Sequence, residues 1–370
     1  MTPPPLFDAR APLQIADQGY FFVGGEYGDD VAGRSMSGQM FVQYQIPARR
    51  VSPYPLVMIH GGGQTGTNFL GTPDGRKGWA DYFIASGYAV YVVDQPGRGR
   101  SGYFPGRYGP SAQRDPKTAA ARFTAPAKAG LWPQARHHTQ WPGPGTQGDP
   151  VCDEFYASQV EGMQDVAQIE KLMRIAGSAL LDRIGPSILL THSQSGPFGW
   201  TIADAKPQQV KAIIAVEPQG APLHEIRFHG AEDDVLRYTE DADVIRPWGI
   251  TRGPLAFDPP PADAGEMRYV RQDNADGPDL VCCWLQAEPA RRLTNLAGIP
   301  ILIVTAEGSY HAPYDQCTSR FLAQAGVEHD YVRLAEVGIR GNGHMMMLEK
   351  NNLEIAEYFR EWLREKLADA

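Results

Sequence analysis

Ser193 lies in the run Thr191-His192-Ser193-Gln194-Ser195-Gly196, directly after an apolar strand and before a stretch that reads as a helix. A strand that turns sharply into a helix lifts the turn residue clear of the sheet, which presents a serine hydroxyl as a nucleophile. The usual pattern is G-x-S-x-G. Here Thr191 and Ser195 stand where glycines are expected, and Thr191 departs further because it is bulkier and β-branched. A strand end followed by a serine N-cap reads the same residues equally well. Ser195 is the rival nucleophile, but in the first helical turn its hydroxyl would point elsewhere.

A serine attacking a carbonyl needs donors where negative charge develops. His60-Gly61-Gly62-Gly63-Gln64-Thr65-Gly66 follows another buried run, and glycines let backbone amides approach such a point. The expected donors are the amide of Gln194 and that of Gly62 or Gly63. A ligand-free Gly-rich turn is the plain alternative, and a phosphate loop lacks its Gly-Lys-Ser/Thr ending. The expected base is His344, in Gly341-Asn342-Gly343-His344 just before the last helix; with nine histidines in the chain, position is what singles it out. The acid has three candidates. Glu217 ends the strand next to the one carrying Ser193 and is preferred; Glu307 follows the next strand and also reads as a polar turn residue; Asp315 is third.

These residues need a scaffold. Tyr20–Val23 and Met40–Ile46 read as strands. Pro55–His60, Tyr88–Asp94, Ser187–Thr191, Val210–Val216 and Pro300–Thr305 are continuous apolar runs of the kind buried on both faces of a parallel sheet, with Asp330–Leu334 a sixth. Gly78–Ser86 reads as a short helix. Tyr156, Val160, Met163, Val166, Ile169 and Met173 predict one helix from Glu154 to Ala176. Ile355, Tyr358, Phe359, Trp362 and Leu363 predict an amphipathic C-terminal helix. Strands alternating with helices imply a parallel α/β sheet. Residues 101–150 and 219–298 are long irregular excursions; their aromatic residues favour order over linker character.

Gly97-Arg98-Gly99-Arg100-Ser101-Gly102 matches a dinucleotide-binding pattern. The chain after it continues as loop, so it lacks the helix N-terminus that would bind pyrophosphate.

The chain resembles the α/β-hydrolase family over roughly residues 20–366. H-G-G-G, D-Q-P-G-R-G-R-S-G from Asp94 to Gly102, T-H-S-Q-S-G and G-N-G-H carry the likeness. It is similar in particular to microbial carboxylesterases whose acid is a Glu after the strand following the nucleophile. Glu217, 24 residues after Ser193, matches that position. The resemblance implies an α/β-hydrolase fold, a mostly parallel central sheet flanked by helices, in one domain over 1–370 with cap insertions at about 101–150 and 219–298. It implies a Ser193–His344–Glu217 triad cleaving a carboxylic ester or lactone through an acyl-enzyme, with no cofactor or metal. A non-catalytic small-molecule-binding protein on the same fold and an amidase are the alternatives. A dehalogenase or epoxide hydrolase would carry Asp in place of Ser193. Trp132, Trp141, Phe228, Trp248 and Trp284 are candidates for the pocket wall or for packing within the cap.

Composition sets the outer limits. Thirty-four basic against 43 acidic residues leave a net charge of −9, without the basic footprint of nucleic-acid binding. No run is apolar and long enough for a transmembrane segment. The expected partner is a small-molecule ester or lactone, with a homodimer possible. No export leader is visible, which slightly favours the cytoplasm, although a mature exported form would read the same. Cys152, Cys282, Cys283 and Cys317 fit neither a disulfide scaffold nor a zinc site. Cys282 and Cys283 read as buried small hydrophobes, as a bonded pair, or as one partner for Cys152 or Cys317.

Overall fold

The computed structural model describes residues 12–28 and 35–368. Much of the N-terminal stretch read for a leader lies outside them. Eight strands form one sheet: β1 (Ile15–Tyr27), β2 (Met36–Pro47), β3 (Leu56–Ile59), β4 (Val90–Asp94), β5 (Ser187–His192), β6 (Val210–Val216), β7 (Ile301–Thr305) and β8 (Asp330–Arg333). Their order is β1-β2-β4-β3-β5-β6-β7-β8. The β1–β2 and β2–β4 pairs are antiparallel; the six strands from β4 to β8 run parallel.

The apolar runs are continuous because both faces of the sheet are covered, and alternate residues serve two separate cores. Val57, Ile59, Leu189, Ile213, Ala215, Ile301 and Ile303 point into one core. Leu56, Met58, Ile188, Leu190, Ile214, Leu302 and Val304 point into the other. The first face is covered by α3 (Val166–Ile184), α4 (Gly196–Ala205) and α5 (Asp315–Gln324), the second by α1 (Trp79–Ala85) and α6 (Asn352–Lys366), while α2 (Pro150–Ala157) lies in the connection after β4. The α6 stripe of Ile355, Phe359, Trp362 and Leu363 is buried, and Trp79 of α1 meets Phe359 edge-on at 5.2 Å. Each such side chain contributes roughly 1.5–3 kcal/mol of transfer free energy. No helix among the described residues is long and apolar enough to cross a membrane.

One expectation needs correction, and one helix has no expectation to meet. The single helix predicted over 154–176 is two, α2 and α3, with Val160 and Met163 in the gap. Asp165 caps α3 by accepting from the Gln168 amide at 3.0 Å, and the gap lets the Val160 amide reach the Gly63 carbonyl at 2.8 Å. Helix α5 was not anticipated, although Cys317, Phe321 and Leu322 form its buried face.

The 101–150 excursion is a chain of short turns, Pro105–Tyr108, Pro116–Ala119, Pro126–Ala129 and Pro133–His137. Each opens on a proline, whose fixed φ suits the first helical position. The 219–298 excursion contains short antiparallel pairs, including Ile226–Phe228 with Tyr238–Glu240 and Tyr269–Arg271 with Trp284–Gln286. Buried Glu170 of α3 accepts from the amides of Arg252 and Gly253, pinning this excursion to the sheet layer. Among the alternatives for the thiols, the structure has Cys283 bonded to Cys317, joining the excursion to α5, with Cys152 and Cys282 free.

Candidate active site

Ser193 occupies the turn between β5 and α4 at φ 55°. Left-handed backbone is uncommon for a residue with a Cβ and marks a strained turn held by its surroundings. Three local fits hold it. Gly61 brings the His60 loop against the serine: a Cβ on Gly61 would lie 3.0 Å from the Ser193 Cβ. Gly196 lets α4 start beneath Pro218, with which any side chain there would collide. Thr191, in a place that usually takes glycine, is fully buried and faces Gly199 of α4, where an added Cβ would sit 3.1 Å from the Thr191 methyl. The clearance missing at Thr191 is thus supplied by the helix. The Ser195 hydroxyl donates to the Ile59 carbonyl and accepts from the His192 amide, both at 2.7 Å, and is fully buried. It ties the turn to β3.

The His60 loop is fixed from behind. The Gln95 amide donates to His60 Nε2 at 3.1 Å, so Nδ1 carries the proton and donates to the Gly61 carbonyl at 2.8 Å. Burial pushes His60 down to about 4, with the Arg98 charge adding to the effect, so it stays neutral. Buried Arg98 donates to the Gly61 carbonyl at 3.1 Å and to the Gln194 side chain at 3.3 Å. Gly62 and Gln194 line the cavity over Ser193; Gly63, at φ 76°, stands next to Gly62, and a Cβ there would meet the Gln159 side chain.

Glu217 ends β6 at φ 46° and is fully buried. His344 Nδ1 donates to its Oε2 at 2.5 Å, the Ser309 hydroxyl donates to the same oxygen at 2.6 Å, and the Ala306 amide donates to Oε1 at 2.8 Å. Burial raises the Glu217 carboxyl well above its usual range and the Asp315 charge adds to it; the Ser309 and Ala306 hydrogen bonds oppose this. Burial lowers the His344 imidazole well below its usual value, assisted by His192, His311, Arg114 and Arg122. A neutral His344 with Nδ1 committed to Glu217 presents its Nε2 lone pair. The Tyr310 hydroxyl lies 3.4 Å from that Nε2.

The His344 ring is flanked by near-parallel rings, Phe123 at 5.3 Å and His311 at 4.9 Å. His192 Nε2 donates to the His344 carbonyl at 3.0 Å. The loop before His344 is clamped by buried Glu349, which accepts from the Gly343 amide at 2.9 Å, the Asn342 side chain at 2.7 Å and His138 of the first excursion at 2.6 Å. Glu307 accepts from the Gly341 amide at 2.9 Å, so it holds the loop rather than the imidazole. Asp315 bonds His311 Nδ1 at 2.8 Å and Thr305 at 2.7 Å. Donor atoms of Glu217, His311 and His344 lie within 4.8 Å of one another. Both Nδ1 atoms are engaged by carboxylates, and stacking at 10° leaves the in-plane lone pairs parallel, so they do not converge on one ion.

The cavity over Ser193 measures about 260 Å³. Ser193, Gln194, Gly62 and His344 form its floor, and Arg114, Arg122, Phe123, Tyr310, Tyr314 and Glu225 are on its walls. Of the two roles open to Trp132, Trp141, Phe228, Trp248 and Trp284, packing rather than the wall of this cavity is what the structure has: none of them lines it. Trp132 packs on Phe228 and Tyr310, Trp141 on Phe155, Trp248 joins a core, and the Trp284 indole donates to Glu240 at 2.8 Å. The wall residues went unread because they come from irregular segments without periodicity; Tyr310, three residues after Glu307, was the nearest signal.

A model of the Alpha/beta hydrolase family matches residues 56–358. The chain is 45% identical over 348 residues, 94% of its own length and 89% of the relative's, to the probable secreted lipase phiG of Fungal sp. (strain ATCC 74256). A bacterial esterase of known structure shares the fold at a TM-score of 0.64 and 24% identity, over 96% of this chain and 98% of that one. The chain belongs to the alpha/beta hydrolase family.

Proposed function

We propose that this carboxylic ester hydrolase works through a Ser193–His344–Glu217 triad and an acyl-enzyme. The supporting observation is the serine held at φ 55° at the end of β5, beside an imidazole whose other nitrogen is bonded to a carboxylate on the adjacent strand. His344 Nε2 takes the Ser193 proton as the hydroxyl oxygen attacks the carbonyl carbon. Glu217 fixes the tautomer and stabilises the imidazolium. The oxyanion is held by the Gln194 amide and that of Gly62 or Gly63. When the tetrahedral intermediate collapses, the C–O bond to the alcohol breaks and His344 protonates the leaving oxygen. Water, deprotonated by His344, then releases the acid and restores Ser193. A lactone would follow the same steps with both products in one molecule.

The two excursions act as the cap. The first brings Arg114, Arg122 and Phe123 to the cavity, the second Gln219, Gly220 and Glu225. A volume just under the roughly 300–1,000 Å³ of drug-sized sites supports a compact substrate rather than a long-chain fat. The Cys283–Cys317 bond and the relative named as a secreted lipase support action in an oxidising compartment, in place of the cytoplasmic preference.

The test is active-site labelling. Ser193→Ala should abolish fluorophosphonate labelling and lower kcat by about 10⁵–10⁶. Ser195→Ala should remain labelled. A label mapped to Ser195 would sink the assignment.

A further inference from the structure

The chain as a whole is acidic, with a net charge of −9, yet the wall of its reactive cavity is not. Arg114, Arg122 and Glu225 are the charged side chains lining it, His344 being neutral. The Glu225 carboxylate is already paired: buried Arg246 donates to it at 2.6 Å and also to the carbonyls of Ala221 and His224. The cavity is thus left with two positive charges. No salt bridge joins Arg114 or Arg122 to a carboxylate among the described residues.

What they have instead is aromatic support. The Arg114 guanidinium lies over the Phe123 ring at 4.8 Å and that of Arg122 over Tyr310 at 5.5 Å. Cation–π contact leaves the in-plane N–H donors of a guanidinium unused. One of these, Arg114 Nη1, is buried and has no hydrogen-bond partner. A buried donor without a partner is rare in a folded protein and calls for an explanation. Arg114 is half-buried and its guanidinium is lowered by that burial, while Arg122 is exposed. Both rings that carry these cations also touch His344, Phe123 by stacking and Tyr310 through its hydroxyl. The unpaired charges therefore sit within one ring of the reacting atoms.

We infer that the ester cleaved by this site, on the serine-hydrolase reading above, carries an anionic group, a carboxylate by preference, held between Arg114 and Arg122 while Ser193 attacks. A guanidinium presents paired donors that match the two oxygens of a carboxylate. The small cavity limits the spacing, so the substrate class is a monoester of a short dicarboxylic acid or an ester of a short hydroxy acid. Phosphate shares the charge and is the competing source.

The experiment compares kcat/KM for matched esters on the intact enzyme. Mono-p-nitrophenyl glutarate against p-nitrophenyl valerate tests an anion on the acyl side; O-butanoylglycolate against propyl butanoate tests the alcohol side. The anionic member should be preferred by about tenfold or more in one pair, as one charge-assisted hydrogen bond would give. In the Arg114→Gln/Arg122→Gln variant that ratio should collapse to below about threefold, and Arg114→Lys/Arg122→Lys should retain part of it. Should the glutamine variant misfold, salt gives the same readout on the unaltered enzyme: rising ionic strength should erode the ratio. Glutarate should inhibit competitively at lower concentration than inorganic phosphate; the reverse order would overturn the carboxylate preference. Preference for the neutral ester in both pairs, or a ratio that neither substitution nor salt moves, would overturn the inference and leave the esterase mechanism standing. Failure to hydrolyse any of the four, with Ser193 unlabelled, would instead overturn the mechanism and the inference with it.

Discussion

The two excursions from the sheet are irregular in the same way and do different work. Residues 101–150 reach the Ser193 cavity in three ways: Phe123 stacks on His344, Arg114 and Arg122 line the cavity, and His138 completes the Glu349 clamp behind the His344 loop. Residues 219–298 contribute one paired carboxylate and a turn to the wall. Their firm attachments are to the scaffold, through Glu170 and through the Cys283–Cys317 bond. Similar composition therefore conceals two kinds of contact, one made to the Ser193 cavity and one made to the sheet layer.

That contrast can be broken most severely at the sheet itself. If the catalytic groups sit on strand ends and the excursions only adjust them, Glu217→Gln should outrank any excursion variant, lowering kcat by about 10⁴ as when a triad acid becomes an amide. Glu307→Gln, which loses only a loop contact, should lower it far less. The opposite ranking in steady-state kinetics would move the acid to the β7 loop.

Next in size is the first excursion's clamp. His138→Ala removes one of the donors on buried Glu349 and loosens the loop carrying His344. It should lower kcat by up to about 10²-fold, the effect of a small misplacement of a catalytic group, with KM little changed. Unchanged kcat would show that the contacts of Gly341, Asn342 and Gly343 hold the loop without His138.

The second excursion should answer in stability instead. The Cys283–Cys317 bond spans 34 residues, and closing a loop of that length is worth about 3.5–4 kcal/mol in the chain-entropy model. Cys283→Ser should lower the denaturation midpoint accordingly while kcat/KM stays within about threefold. Denaturing alkylation followed by intact mass should find two reactive thiols, Cys152 and Cys282, before reduction and all four after it. A large loss of kcat/KM in the folded variant would erase the distinction between the excursions.

The smallest effect is on pH. His344 is lowered by burial and by charges that include Arg114 and Arg122, while no residue of the second excursion is among those causes. A lowered base stays unprotonated further into acid, so the acidic limb of kcat/KM should fall below the ordinary histidine value of about 6.5. Arg122→Gln should move that limb upward. A limb at or above 6.5, or one displaced downward, would contradict the electrostatic assignment.

The sheet was legible because parallel strands buried on both faces must be continuous apolar runs, and such runs need no partner to be recognised. The positions of Ser193, Gln194, Glu217 and His344 could be read for a related reason: each stands at the end of such a run or just before a strongly periodic helix. Tyr310, Arg114, Arg122, His138 and Glu349 could not. Each matters through a contact made across the fold, and nothing in its own neighbourhood distinguishes it from a surface polar residue. The division of one expected helix into α2 and α3 was hidden because both segments continue the same three-to-four spacing. The pairing of Cys283 with Cys317 depends on where α5 lies, which was itself unread.

Thr191 and Gly199 show what a sequence pattern for such a turn actually encodes. Glycine at the start of G-x-S-x-G is a proxy for empty volume between a strand and the helix that follows it. In this chain the same volume is vacated from the opposite wall, so bulk and absence have traded places across the interface. The two positions are complementary halves of one mould, eight residues apart. A search that scores the distance between facing backbones, instead of the letter at one site, would recognise turns of this kind that literal patterns pass over.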